Sequence, residues 1–287
     1  MEWSKAKNIV IIFLIMLNIM LGAIVFTAHE RHTLSVEQER NIIQVLYTNN
    51  IIIDAPIIRR TLPMRMLELS PGVIDSYLMK QLFLGTTDVS MYEYGNIRRY
   101  DHDGSSVIIY ANIIIFENGV FEEFREIDFE IAKNMSDEFL AGLGEMSRGF
   151  VLDVGPYRSG NEIILEYRQS IEDVIIYNNY FLFAIDNYGI RRIEHSNNMP
   201  VGFSASHEIC GMDEALFAFL REMRIDSIYR PKRIIEKMDI VYFMDSLDLE
   251  QGIAYPYFRI YFREFRPDGS YVTRLNMVNA YFGTPRR

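Results

Sequence analysis

The sequence predicts an α+β fold: an N-terminal transmembrane helix, then tandem units of curled antiparallel sheet with a helix packed across each. Three observations lead there. Residues 8–28 carry no charge, and only Asn8, Asn18 and Thr27 among them are clearly polar. Beyond that stretch, a helix followed by antiparallel strands occurs three times. The strands are separated by joints such as Asp101-His-Asp-Gly104, Asn118-Gly119, Asn187-Tyr-Gly189 and Pro267-Asp-Gly269, whose residue types favour tight reversals.

The apolar stretch would form a helix about 32 Å long, enough for a hydrocarbon core of about 30 Å. It is longer than the apolar region of a signal peptide, and no small-x-small cleavage site follows, since Phe26 stands where a small residue is needed. Lys5 and Lys7 precede it, so the positive-inside rule keeps the N-terminus in the cytoplasm. The expected organisation is a cytoplasmic tail at 1–7, a membrane helix at 8–28, a stalk at 29–34, and two extracytoplasmic α+β domains at 35–130 and 131–287. The localisation is the cell membrane, single-pass.

Composition narrows the function classes. The formal net charge is −10, from 29 basic and 39 acidic residues. That sign argues against nucleic acid, anionic headgroups or an anionic wall polymer as the main ligand. The one cysteine, Cys210, has no internal partner for a disulfide, so the fold must rest on its core.

Along the chain, Ser35-Val-Glu-Gln38 has the capping-box pattern that starts a helix reaching about Asn49. Val36, Ile43 and Tyr47 line its expected apolar face, with Ile42 and Leu46 beside them. Short strands are expected at 51–53 and 64–69. A helix near 74–84 puts Ile74, Leu78 and Leu82 on one face, and Gly85 closes it. Strands follow at 91–99, 106–116 and 120–129, and residues 107–116 of the second are apolar on both faces except Asn112. A helix at 136–146 aligns Phe139, Leu143 and Met146, and strands at about 150–154, 161–168, 180–186 and 190–195 follow it. The helix at 213–223 aligns Leu216, Phe219, Leu220 and Met223. Strands at about 234–244, 256–265 and 270–281 complete the chain.

No catalytic constellation assembles from the motifs. His207-Glu-Ile-Cys-Gly211 begins like a zincin helix but has glycine where the second histidine belongs. Gly202-Phe-Ser-Ala-Ser206 lacks the closing glycine of a nucleophile elbow. Asp101-His-Asp103-Gly104 opens like a calcium loop, yet its twelfth position is Asn112 rather than glutamate, and a solvated turn is the better reading. His29 and His32 read as interfacial, and Glu122, Glu123 and Glu126 as a wet strand edge. Glu162 and Glu166 share a strand face without a third group to fix a role. The expectation is no catalytic residue, no metal and no cofactor.

Two features point to binding. Asn18 sits mid-helix in the apolar stretch with Leu14 and Gly22 on the same stripe. An amide there would seek an interhelical hydrogen bond, and Gly22 would admit a neighbouring backbone, so Leu14, Asn18 and Gly22 are candidate partner contacts. Strand 255–262 alternates Phe258, Ile260 and Phe262 with Tyr257, Arg259 and Tyr261. The first set reads as core, and the second as a partner-facing aromatic–Arg surface.

Met1-Glu-Trp-Ser-Lys-Ala-Lys-Asn-Ile, running into Phe13-Leu-Ile-Met-Leu-Asn18, resembles the opening of the YycI (WalI) regulatory proteins. So do the helix at 213–223, the strand Tyr255-Pro-Tyr-Phe-Arg-Ile260 and the stretch Val278-Asn-Ala-Tyr-Phe-Gly283. Phe258 stands where family members carry Trp. Residues 50–205 match only in length and element order. The resemblance implies a non-enzymatic accessory protein of a cell-envelope two-component system. Such a protein pairs with the sister protein YycH and modulates the sensor histidine kinase YycG (WalK). Self-association as a homodimer stays open. The competing readings are an envelope ligand-binding or protease-inhibitor domain and, third, an anchored hydrolase with carboxylates scattered in sequence.

Overall fold

The computed structural model describes residues 7, 10–21, 33–121, 123–196, 198–225, 230–245, 252–281 and 284–285. The expected membrane helix is corrected first. Among the described residues, no helix is long and apolar enough to cross a membrane. The helical run at 10–21 rises about 18 Å, short of a hydrocarbon core of about 30 Å. Residues 8, 9 and 22–28 of the expected span lie outside the described residues.

The tandem arrangement is corrected as well. The chain divides into two compact units, one of residues 1–64, 206–239 and 257–287, the other of 65–205 and 240–256. The expected boundary at 130/131 falls inside the second unit, because one large sheet draws strands from both sides of it.

The continuous antiparallel part of that sheet is eight strands: β3 (Ser90–Tyr94), β4 (Ile97–His102), β5 (Ser105–Tyr110), β6 (Ile113–Glu117), β7 (Phe150–Ser159), β8 (Glu162–Ile171), β9 (Val174–Asp186) and β10 (Gly189–Ser196). Their spatial order is β3-β4-β5-β6-β10-β9-β8-β7, with every neighbouring pair antiparallel. β2 (Met64–Pro71) and β11 (Asn198–His207) lie mostly in the same unit outside that run. The pairing of Ile113–Glu117 with Arg192–Ser196 is the long-range step that joins the two expected domains.

Local chemistry sets the reversals. Asp103 and Gly104, at φ 47° and 80°, turn β4 into β5, and Gly189 at φ 110° follows the β9–β10 turn. The expected single strand 106–116 is two strands, reversed at Ala111-Asn112, where Ala111 takes φ 50°. Asn112, the polar interruption of that apolar run, is the turn. Asn118-Gly119 makes no hairpin, because β6 ends at Glu117 and the expected strand at 120–129 does not form. Asn118 instead ties its own N–H to the Arg191 carbonyl at 2.8 Å.

One face of the sheet is the core. α2 (Ser76–Leu84) and α3 (Phe129–Gly142) cover it, capped by Asp75 and Asp128 side chains that accept from the first-turn N–H groups. Met79 and Phe83 from α2, with Ala132 and Leu140 from α3, pack on Val107, Ile114, Leu165, Phe181, Phe183 and Ile193. α2 fully buries Met79 and Phe83; of the expected Ile74–Leu78–Leu82 stripe, Ile74 and Leu82 pack partly buried against the same core and Leu78 stays exposed.

The first unit holds α1 (Val36–Tyr47), α4 (Met212–Ile225), β1 (Ile51–Ile53), β14 (Tyr271–Asn279), β15 (Thr284–Pro285), and the larger parts of β12 (Arg233–Phe243) and β13 (Ile253–Phe265). The Ser35–Gln38 capping box forms as read, but α1 buries Ile42 and Leu46 while Val36, Ile43 and Tyr47 face outward. β1 pairs parallel with β12, β12 neighbours β13, and β13 pairs antiparallel with β14 from Tyr257↔Asn279 to Phe265↔Tyr271. Phe219 of α4 meets Phe262 of β13 edge-on, ring centroids 5.1 Å apart.

Candidate functional site

The face of the large sheet away from α2 and α3 carries a cleft of about 580 Å³. Strand alternation explains its lining. Ile163, Leu165 and Tyr167 of β8 point into the core, so Glu166 and Arg168 point the other way. The ladder then sets two rows across the strands. Arg168, Tyr180, Ser196, Ile113 and Tyr110 are successive cross-strand partners, and Glu166, Leu182 and Glu194 form the row beside them.

A bulge shapes one wall. Between Arg168 and Gln169 the β8–β9 register jumps from Tyr180 to Ile176, leaving Tyr177, Asn178 and Asn179 as extra residues on β9. The Tyr177 ring centroid lies 3.8 Å from the Arg168 guanidinium carbon, and the Tyr177 carbonyl accepts from Arg168 Nη1. Asn179 bonds Asn198 in both directions, Asn198 Oδ1 accepts from Asn112 at 2.8 Å, and Asn178 bonds both the N–H and the carbonyl of Met244. These amides fix the floor.

Charge in the cleft is already matched. Arg168 Nη2 donates to Glu166 at 2.9 Å. Its Nε lies 3.1 Å from Asp153 Oδ2 as an ion pair, without the alignment of a hydrogen bond. Glu194 accepts from the Tyr180 hydroxyl and from Arg192 Nη2 at 2.8 Å. Burial, then the Glu194 carboxylate, pushes the Tyr180 phenol well above its ordinary range, so it stays protonated and donates. Ser196 makes no side-chain hydrogen bond among the described residues and borders the cleft. An aromatic wall with a few fixed polar groups suits the binding of a small molecule or a peptide side chain.

His195, next in sequence to this face, points into the core. Its ring stacks on Phe181 at 3.8 Å and 7°, and its Nδ1 sits 3.0 Å from the Tyr180 carbonyl. Burial lowers its pKa to about 4, outweighing that backbone bond, and the ring is neutral at physiological pH.

The residues singled out from sequence fall elsewhere. Leu14 and Asn18 are exposed helical residues, and Asn18 Nδ2 donates to the Leu14 carbonyl at 2.8 Å, so the amide is served by its own helix. Gly22, His29, His32 and Glu122 lie outside the described residues. The face Tyr257, Arg259, Tyr261 is not a free surface: Tyr257 is buried and Arg259 fully so. Arg259 grips Asp239 of β12 with two bonds, Nε at 2.8 Å and Nη2 at 2.6 Å, while the Tyr261 ring centroid lies 5.1 Å from the guanidinium. An arginine with a bidentate carboxylate on the neighbouring strand can be buried at a central position. Asp101 accepts from Arg99 and Asp103 faces His102, as side chains of the β4–β5 hairpin. Among the described residues, no group of three metal-ligating side chains converges. Of the sequence candidates among the described residues, only Glu166 lines the cleft. Its other members were signalled by the polar phase of β8 and β10, where Glu166, Arg168, Arg192, Glu194 and Ser196 alternate with an apolar phase.

No family model matches the chain, and no curated protein matches its sequence. Among solved structures, an uncharacterized protein from Eubacterium rectale superposes with a TM-score of 0.54 at 11% identity, over 83% of this chain and 91% of that one. The likeness shows a shared fold. The C-terminal domain of Bacillus megaterium YpeB superposes at a TM-score of 0.41 and 11% identity, over 75% of this chain and 96% of that one.

Proposed function

We propose that this chain is a non-enzymatic accessory protein of the cell envelope that modulates the sensor histidine kinase of a two-component system, together with a YycH-like partner. One observation carries the reading. Two of the segments that resemble the YycI family are neighbours in the fold: Tyr257 pairs with Asn279, Phe258 with Val278, and Arg259 with Met277. Phe258, which replaces the family's Trp, is fully buried with Ile260 and Phe262, so an aromatic side chain still fills that core position. The carboxylates of the cleft are engaged by Arg168, Arg192 and Tyr180.

The genetic test is deletion of the gene, with kinase-dependent transcripts as the readout. The expected result is a change in those transcripts that is restored by wild type and by Phe258→Trp, the family residue. Unchanged transcripts would reject the role. A second reading, an envelope domain that binds a small ligand, is favoured by the cleft of about 580 Å³. Transcripts that do not respond to deletion, with a ligand bound in that cleft, would favour it instead.

A further inference from the structure

The first unit carries a second, smaller cavity of about 270 Å³, and its chemistry is opposite to that of the chain as a whole. Arg224, Arg230 and Arg233 line it with Asn49, and among the described residues no carboxylate does. In a chain of net charge −10, three guanidiniums around one cavity run against the average.

Among the described residues, two of the three have no anion. Arg224 directs Nε and Nη2 at Asn49 Oδ1, at 3.1 and 2.9 Å, and Arg230 directs Nη1 at the same oxygen at 3.5 Å. Asn49 is itself fixed, because its Nδ2 donates to the Val45 carbonyl at 2.7 Å and leaves only the oxygen for the arginines. One neutral amide oxygen thus serves two cations. Neither Arg224 nor Arg230 forms an ion pair among the described residues. Arg233, buried, differs: both Nε and Nη2 lie 2.7 Å from Glu264 Oε2. That carboxylate is also shared with Arg274 at 3.0 Å, so it does not offset the rest of the cluster.

The helix offers only a partial explanation. Arg224 stands in the last turn of α4, where a cation is favourable. A terminal dipole does not account for the second guanidinium arriving from residue 230 at the same acceptor. Like charges held this close repel unless a counter-ion lies between them.

We infer that this cavity binds a phosphate dianion, free or as the terminal group of a small phosphomonoester. Arg224 and Arg230 supply the two unmatched charges, and Arg233 helps to form the wall. Guanidinium forks match phosphate oxygens in geometry. Two unmatched positive charges suit the roughly −1.5 to −2 of a phosphomonoester at neutral pH better than the single charge of a carboxylate or a lipid phosphodiester. The floor residues Ile51 and Leu220 are buried and apolar, which lowers the local dielectric and strengthens the attraction.

The test is calorimetric titration of the purified full-length chain with inorganic phosphate and with glycerol 3-phosphate, beside flotation with phosphatidylglycerol vesicles. Arg224→Gln and Arg230→Gln, both at exposed positions, are compared with Arg40→Gln, an equal charge change on the exposed face of α1. The expected result is saturable binding of either probe, weakened at least tenfold by each cavity variant and unchanged in Arg40→Gln, and weaker at pH 5.5 than at pH 8. The relative affinity for the two probes separates a free phosphate site from a monoester site. Absence of saturable binding, equal binding by the cavity variants and wild type, or capture of vesicles without binding of either soluble probe would each overturn the assignment.

Discussion

His195 gives the second unit an acid sensitivity that can be worked out from its surroundings. The ring is packed between Phe181 and Phe150 with the Tyr180 carbonyl at Nδ1, and among the described residues no ion pair or hydrogen bond brings a carboxylate to it. Its pKa falls from 6.5 to about 4 on folding. The folded state therefore resists a proton that the unfolded state accepts, so stability is full above about pH 6.5 and declines as pH falls toward 4. Linkage puts the loss at about 1.4 kcal/mol at pH 5.5 and about 2.5 kcal/mol at pH 4.5. The carboxylates with lowered pKa act in a different window. Asp137 keeps a depressed pKa because hydrogen bonds from Lys133 and Tyr167 outweigh its burial, so its contribution is lost only as pH falls below the ordinary aspartate range. The perturbation is His195→Phe, which keeps an aromatic ring against Phe181. Urea melts of wild type and variant at pH 7.5, 5.5 and 4.5, followed by near-UV circular dichroism, give the comparison. Wild type should lose about 2 kcal/mol more than the variant between pH 7.5 and 4.5. Equal losses would refute the assignment of this sensitivity to His195.

Three further outcomes are expected from packing. Phe258→Ala removes a fully buried ring and should cost about 3–5 kcal/mol in a urea melt, whereas Phe258→Trp should be far milder. Arg259→Met should cost about 2 kcal/mol because it removes the bidentate partner of Asp239, which keeps only Lys237 Nζ at 3.5 Å of the two cations paired with it, and adding Asp239→Leu should recover part of that loss; simple additivity in the double-mutant cycle would contradict the pairing. Gly119→Ala should lower the melting temperature, because a Cβ there would lie 1.9 Å from the Gly104 carbonyl oxygen and the backbone must shift.

Local chemistry was legible in the sequence where a residue type has one structural use. Asp103-Gly104, Asn187-Tyr-Gly189 and Pro267-Asp-Gly269 all fall at turns, and the Ser35–Gln38 capping box starts α1 as read. α4 buries Leu216, Phe219 and Leu220, the stripe its periodicity marked. Other readings failed for identifiable reasons. Asn118-Gly119 has hairpin composition, but β6 had already reversed from β5 at Ala111-Asn112, so no strand remained to turn. Of the apolar stretch at 8–28, residues 10–21 are helical, residues 8, 9 and 22–28 lie outside the described residues, and no described helix is long and apolar enough to cross a membrane. The joining of β6 to β10 depends on contacts about 75 residues apart, which period-two patterns do not encode. The same limit applies to the strand at 255–262. Alternation separated its two faces correctly, but whether the second face is covered depends on Asp239, and nothing in the strand's own sequence announces that partner. The cleft was half visible, since the polar phase of β8 and β10 could be read while the bulge that brings Tyr177 onto Arg168 could not.

The accessory role stands or falls on physical association. The measurement is affinity purification of the tagged full-length chain from its own host at native abundance, with the co-purifying proteins identified by mass spectrometry. The sensor kinase and a YycH-like protein should be recovered with it in comparable amounts, and in smaller amounts when Phe258→Ala destabilises the first unit. Recovery of the chain without either protein, at normal abundance and from gently solubilised cells, would contradict the proposal.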